Sequence, residues 1–305
     1  MRNGWVTFYH VERLSGVGFH WSGPQNYLAD QAAMLLGYWF VVWVVAMARR
    51  HPLAESDPGA RYLWWLSAPM FLVFLAFSFK TDGGEPNWPV TAYLSGLVLA
   101  AAWLPRQLAS PVVWYRRCMA ALLVMACGLG LTATVLVHHT DWLRPLLAQL
   151  SGPATADRPM PMRRFDPTCR LRGWRALADA VDRLRDQLHE AEHEDPVLAA
   201  SSWSLPGELG VYCAGHPQAY SIGLAMGDRH SQYDLWLNPL RDAESFRKKT
   251  FIVVGGLSEE AKQAFETVEE PKDVVYSEEG RPVAAWTIWV CHKYRGFASA
   301  AKGGF

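Results

Sequence analysis

The sequence predicts an α-helical membrane bundle of about four spanning helices, followed by a small soluble α/β domain with a mostly parallel sheet. Three observations predict it: uncharged runs of membrane length confined to the first half, basic residues concentrated in alternate short loops, and a charged second half in which strand-like and helix-like segments alternate. Whole-chain averages conceal this division. The 305 residues carry 29 basic and 29 acidic side chains and a net charge of zero, which would describe a soluble protein if the halves were not read separately.

Residues 1–27 read as an external N-terminal segment, rich in aromatic and polar groups and lacking the apolar run of a secretory signal. An external start of this kind looks like one whose earlier helices are missing. The membrane domain is predicted over 28–144. Its first run, 32–48, is closed by Arg49 and Arg50; its second, 62–79, holds eighteen residues without charge; its third, 86–105, holds twenty; its fourth, 118–140, follows Arg116 and Arg117. A bilayer core takes roughly 20 apolar residues per helix. Tryptophans near the run ends (Trp39, Trp43, Trp64, Trp65, Trp88, Trp103, Trp114) fit the aromatic belts of a membrane.

Lys and Arg are retained on the cytoplasmic side of short loops. Arg49, Arg50 and Arg61 lie in one loop and Arg106, Arg116 and Arg117 in another, whereas the turn at 80–87 has Lys80 alone. That turn is therefore predicted to face outward, and with it both chain ends. The protein is expected in the inner (cytoplasmic) membrane, multi-pass, with its C-terminal domain on the periplasmic side.

Residues 145–165, with four prolines among Ser, Gly and Ala, read as a linker. The external α/β domain is predicted over 166–305. From Trp174 the apolar positions Leu177, Ala178, Val181, Leu184 and Leu188 recur at helical spacing until Pro196. Short apolar runs at 197–200, 219–222, 251–254 and 283–290 read as strands, with helical turns from Pro206 and from Ser258 between them.

Five cysteines do not make a disulfide framework: Cys118 and Cys127 fall in a membrane run, and Cys169, Cys213 and Cys291 allow at most one bridge. His189-Glu190-Ala-Glu192-His193 matches the HExxH pattern, but Asp195-Pro196 stops the helix at once, so no metal site is predicted. Sharp phosphate-binding loops are absent, and no block of like charge suggests nucleic acid as a partner.

Two segments carry candidate chemistry. The outward turn holds Lys80, Asp82, Glu85, Asn87 and Trp88 between two apolar runs; an ammonium there can neutralise a lipid phosphate, and a carboxylate or amide beside it can orient a hydroxyl. A turn held by Gly83-Gly84 with ordinary interfacial charges explains the same residues without a ligand. The second segment, 229–236, gathers His230, Gln232, Tyr233, Asp234 and Trp236. Indole and phenol faces cover the C–H surface of a sugar while amide, imidazole and carboxylate bond its hydroxyls. A polar loop docked on a neighbouring surface is the structural alternative.

These motifs, together with Asn3-Gly-Trp-Val-Thr-Phe8, Glu85-Pro-Asn-Trp-Pro89, Asp166-Pro-Thr-Cys-Arg-Leu-Arg-Gly-Trp174 and Arg229-His-Ser-Gln-Tyr-Asp-Leu-Trp236, resemble the C-terminal half of bacterial integral-membrane glycosyltransferases of the GT-C class, in the dolichyl-phosphate-mannose protein mannosyltransferase family. The resemblance implies a polyprenyl-phosphate sugar donor, transfer on the external face and an inverting displacement with an acidic base. Family members have more spanning helices and carry that base in their first external loop, to which no stretch here corresponds. The catalytic residue is therefore unknown, and Asp30, Asp82 and Glu85 are not promoted to the role. What the resemblance carries over is a donor-side contact at Lys80, Glu85, Asn87 and Trp88. Expected partners are membrane lipid, the lipid-linked sugar and a complementary N-terminal half or partner subunit. The rival expectation is a non-catalytic membrane protein whose outer domain binds glycan or a partner enzyme.

Overall fold

The computed structural model describes residues 18–297. The motif at 3–8 lies outside the described residues, as does most of the predicted N-terminal segment. The chain divides at the His138–His139 bond into two compact units.

The first unit is helical: α1 (Gly23–Met34), α2 (Tyr38–Arg49), α3 (Pro58–Thr81), α4 (Val90–Leu108) and α5 (Val113–His138). Helix α3 begins where the Asp57 carboxylate accepts the Gly59 N–H at 2.9 Å with Pro58 in the first turn, and it ends at Asp82 in the left-handed conformation. Helices α3 and α5 are long and apolar enough to cross a membrane, which marks this as a membrane protein. The expected count of four spans is corrected. The run at 32–48 is broken where Leu36 and Gly37 take φ of 52° and 65°, turning α1 and α2 by 110°, so that at most the bent pair adds a third span. In α4 the apolar stretch stops at Leu104 because Pro105, Arg106 and Gln107 complete the helix. Its fifteen leading residues rise only about 22 Å, short of a hydrocarbon core of about 30 Å.

Helix α4 instead packs against α2 and α3. The Trp43 indole N–H donates to Ser67 Oγ at 3.2 Å, and the Ser67 hydroxyl donates to the Ala92 carbonyl at 2.6 Å. Gly96 permits this approach, since a Cβ there would lie 2.0 Å from Trp43 Nε1. Buried polar groups inside a membrane unit need such partners, because lipid supplies none.

The second unit holds α6 (Arg144–Ser151), α7 (Trp174–Glu192), α8 (Leu205–Tyr212), α9 (Glu259–Lys262) and six strands: β1 (Val197–Ala200), β2 (Ala219–Ser221), β3 (Phe251–Val254), β4 (Thr267–Val268), β5 (Lys272–Glu278) and β6 (Arg281–His292). The segment read as a linker is structured in part: α6 occupies its start, and Met162 is buried with Ala148, Cys169 and Val283. The sheet runs β2-β1-β3-β6-β4, with β5 also on β6. Its parallel character is confined to β1 with β2 and β3; β6 is antiparallel to β3, β4 and β5. The expectation of a mostly parallel sheet is therefore corrected to a mixed one. The cause is the β5–β6 hairpin, turned at Glu279-Gly280, whose two residues both have positive φ as a two-residue loop requires.

Both sheet faces are covered. On one, Leu177, Val181 and Leu184 of α7 and Leu209 of α8 bury Leu198, Ala200, Ile252 and Val254. On the other, Phe246, Ala261, Phe265 and Tyr294 bury Ala199, Phe251 and Val253. Strands covered on both faces are apolar throughout, as β1 and β3 are. Cys213 lies on the first face, Cys291 on the second and Cys169 in the smaller cluster, so the one bridge the sequence allowed is not made.

Candidate functional site

The turn predicted to face outward follows α3. Its conformation is set by Asp82, whose Oδ1 accepts the Ser22 hydroxyl at 2.8 Å and the Asn26 side-chain amide at 3.1 Å. Gln31, buried within the helices, donates to the Pro86 carbonyl at 3.2 Å and accepts the Tyr93 hydroxyl at 2.8 Å, so the turn is tied to α1 at both ends. Gly84 (φ 73°) lies against the Trp88 ring, where a Cβ would come within 2.9 Å. Trp88 itself packs on Phe74 and Phe77 with ring centres 5.8 and 6.2 Å away. Of the four residues assigned to the donor, Trp88 is thus a wall of the turn. Lys80, Glu85 and Asn87 are exposed, and among the described residues their side chains make no hydrogen bond or ion pair. Asp82 is engaged by Ser22 and Asn26, and no sequence signal marked Gln31.

In the second unit the candidate loop follows β2. Asp234, read as a sugar contact, is buried, and its Oδ2 accepts both the Ser231 N–H (2.7 Å) and the Ser231 hydroxyl (3.0 Å). Through this oxygen it caps a single helical turn, while its Oδ1 is buried without a hydrogen-bond partner among the described residues. Asn238, which no sequence signal marked, fixes the loop to the strand end: its amide donates to the Ser221 and Tyr233 carbonyls at 2.8 and 3.2 Å, and its Oδ1 accepts the Leu240 N–H at 2.8 Å. Tyr233 and Trp236 meet edge to face at 5.6 Å. The Trp236 indole is 53% exposed, and with Gln218, Tyr220 and Leu237 it lines an open hollow of about 450 Å³. His230 is half-buried and Gln232 is exposed.

A second group lies at the carboxyl ends of the parallel strands. The β1-to-β2 connection passes over one sheet face through α8, and the chain after β3 passes over the other through α9. Adjacent strands whose connections diverge leave a crevice at their carboxyl ends, the usual ligand position in α/β sheets. At that position Ser201 and Gly255 lie side by side, so close that a Cβ on Gly255 would come within 2.1 Å of Ser201 Oγ. The Asp228 carboxylate accepts the Trp203 N–H at 3.0 Å and the Arg229 N–H at 2.7 Å, and the Arg229 guanidinium lies 3.8 Å from the centre of the Trp203 ring. The Ser201-Ser-Trp-Ser204 stretch after an apolar run was the signal available for it.

The Asp166–Trp174 motif proves to be internal structure. The Asp166 carboxylate accepts the Thr168 N–H at 2.9 Å and pairs with Arg172 at 3.2 Å; Arg172 also bonds Glu278 at 2.7 Å and reaches Thr140. Glu278 further holds Arg144 and accepts the Tyr276 hydroxyl. Burial, and then this carboxylate, push the Tyr276 phenol above its ordinary range. The HExxH pattern does not persist as a helical pair, since α7 ends at Glu192 and His193 takes φ of 57°. Among the described residues no three His, Cys, Asp or Glu side chains are grouped to hold a metal ion. Compared with protein-family models, with curated proteins and with solved structures, the chain matches none.

Proposed function

We propose that this chain is part of a membrane glycosyltransferase of the GT-C class, in the dolichyl-phosphate-mannose protein mannosyltransferase family, transferring a sugar from a polyprenyl-phosphate donor to an acceptor on the external face of the inner membrane. The observation that carries this reading is the outward turn. Its backbone is fixed by Asp82, Gln31 and Trp88, while Lys80, Glu85 and Asn87 are left exposed at the end of an apolar helix of membrane length. An ammonium, a carboxylate and an amide so placed match a phosphate and the hydroxyls of the sugar it bears.

In the reaction the acceptor oxygen forms a bond to the anomeric carbon as the bond from that carbon to the phosphate oxygen breaks, and the polyprenyl phosphate leaves. Lys80 counters the phosphate charge; Glu85 and Asn87 orient the sugar. The acceptor proton goes to an acidic base that these residues do not supply, for which a complementary N-terminal half or partner subunit is the proposed source.

Replacing Lys80 with Ala in the intact enzyme, reconstituted with lipid-linked donor, should raise the KM for that donor about tenfold, equivalent to about 1.4 kcal/mol. Unchanged donor kinetics would sink the assignment. A second reading, a non-catalytic protein whose outer unit binds glycan or a partner enzyme, is favoured by the exposed Trp236 indole over its hollow. It is separated from the first by whether changes at the turn or at Trp236 abolish ligand binding.

A further inference from the structure

Within the second unit, helix α7 and the β5–β6 hairpin enclose a hollow of about 260 Å³, lined by Ala180, Arg183, Leu184 and Gln187 on the helix, Lys272 and Val274 on β5 and Ile288 on β6. Helical spacing puts the four α7 residues on one stripe, and alternate positions put Lys272 and Val274 on one face of β5. The hollow follows from the sheet. Leu177, Val181 and Leu184 seat α7 over Leu198 of β1 and over Ile252 and Val254 of β3, whereas β5 pairs with the edge of β6 that faces away from β3. Each strand is rotated from its neighbour by about 20–25°, so a helix aligned with the central strands parts from the marginal one.

Its lining divides by chemistry. Leu184 and Ile288 are buried and Ala180 and Val274 half-buried, which gives an apolar floor, while Arg183, Gln187 and Lys272 are exposed at the rim. Among the described residues these three side chains make no hydrogen bond or ion pair. Asp179 and Asp186 stand four residues before Arg183 and three after it, at helical pairing distance, yet the guanidinium pairs with neither and lines the hollow instead. Asp182 is taken by Arg185 at 2.7 Å and the Ala214 N–H at 2.8 Å, and Asp273, on the other face of β5, accepts the Thr287 hydroxyl at 2.8 Å. Two cations and an amide donor therefore border one apolar floor, and no carboxylate lines it with them.

We infer that this hollow binds a small water-soluble phosphate monoester, with Arg183 and Lys272 on the phosphate, the Gln187 amide on one of its oxygens, and Leu184, Val274 and Ile288 beneath its apolar body. This goes beyond the glycosyltransferase reading and does not depend on it. Charge selects the phosphate: a monoester carries about −1.5 to −2 at neutral pH and matches two cations, where a carboxylate would leave one of them uncompensated. Arg183 presents a planar fork that can hold two phosphate oxygens, and Lys272 a point charge. Volume limits the body to about one ring, since 260 Å³ lies below the range of about 300–1,000 Å³ usual for drug-sized ligands and leaves no room for the paired acyl chains of a phospholipid.

The test titrates phenyl phosphate into the full chain in uncharged detergent micelles at fixed ionic strength, read by calorimetry. One saturable site is expected, with a dissociation constant of about 1 mM or below, as the size of the probe allows. Inorganic phosphate should bind about tenfold more weakly, because it leaves the apolar floor uncovered. Arg183→Gln and Lys272→Gln should each weaken phenyl phosphate binding about tenfold. Lys249→Gln, which removes an exposed cation that does not line the hollow, should leave it unchanged, and phosphatidic acid in the micelle should not compete. Absence of saturation by about 10 mM overturns the inference. Equal losses in all three variants overturn it too, by marking diffuse surface charge. Equal affinity for inorganic and phenyl phosphate overturns the organic ligand, and displacement by phosphatidic acid overturns its soluble source.

Discussion

The Arg172 guanidinium bonds the Glu278 carboxylate at 2.7 Å, closing the Asp166–Trp174 segment onto a hairpin strand 106 residues further along the chain. The same guanidinium lies 3.2 Å from Asp166, whose side chain is fully buried, and Arg144 adds a second cation 3.1 Å from Glu278. Two arginines and two carboxylates are thus balanced in a site with little water. Such an arrangement stabilises only while complete, because desolvated charge left without its partner is costly.

Replacing Arg172 with Ala should accordingly destabilise the second unit by about 3–5 kcal/mol, read as a lowered denaturant midpoint. Arg172→Lys should recover only part of the loss, since an ammonium cannot reach Asp166, Glu278 and Thr168 with the planar fork that now bonds them. A loss below about 1 kcal/mol for Arg172→Ala would show that water screens the cluster.

Gly255 and Ser201 form a pair that can be tested by a double-mutant cycle. Gly255 has φ of 108°, and a Cβ on it would lie 2.1 Å from Ser201 Oγ. Gly255→Ala should cost about 1–3 kcal/mol through backbone strain and this contact. Removing the hydroxyl with Ser201→Ala should be mild alone and should restore part of the loss when combined, leaving only the strain in φ. Strict additivity of the two changes would mean that the strands part at this point to admit the methyl group.

Much of the second unit was legible because its strands are short, apolar and bounded by turn residues: the runs at 197–200 and 251–254 appear as β1 and β3, and the run at 219–222 as β2, one residue shorter at its end. The β5 strand was not legible. Its sequence Lys-Asp-Val-Val-Tyr-Ser-Glu is largely polar and half-exposed, since it covers one side of β6 at the sheet's margin. Missing it made the sheet look parallel. In the helical unit, apolar runs identified the helices but not their lengths, because composition does not reveal the break at Leu36-Gly37 or the early stop at Pro105. Buried polar ties such as Gln31 with Tyr93 were invisible for a related reason: a glutamine that bonds inward has no sequence mark distinguishing it from one that faces solvent.

Within the candidate loop the structure separates two residues that composition had grouped. Asp234 is buried and caps the turn through Ser231, whereas Trp236 is exposed and meets Tyr233 edge to face. Asp234→Asn should weaken the loop by about 1–2 kcal/mol, as loss of a charge-assisted cap does, with glycan affinity falling only in proportion to unfolding. Trp236→Ala should leave the denaturant midpoint unchanged within about 0.5 kcal/mol, because it removes an exposed side chain. If the hollow takes a sugar, the Trp236 change should lose most binding of neutral oligosaccharides titrated by calorimetry. Undiminished binding in Trp236→Ala would remove the hollow from consideration.

The buried thiols give a pH dependence of defined sign. Burial pushes Cys213 and Cys291 from the ordinary value of 9.0 up to about 12, with Asp182 adding to the first and Glu269 to the second. The folded state therefore keeps both thiols protonated where the unfolded chain would ionise them. Their contribution to stability is fully present below pH 9 and is lost as the pH rises through the folded value near 12. In that window each thiol should lower stability by about 1.4 kcal/mol per pH unit, and Cys213→Ala should lessen the slope whatever it does to the midpoint at neutral pH. At pH 8 the same burial withholds thiolate, so iodoacetamide should reach Cys213 and Cys291 only after denaturation. Rapid native labelling at Cys213 would mean that α8 opens from the sheet far more readily than its buried contacts with Leu198 and Ala219 allow.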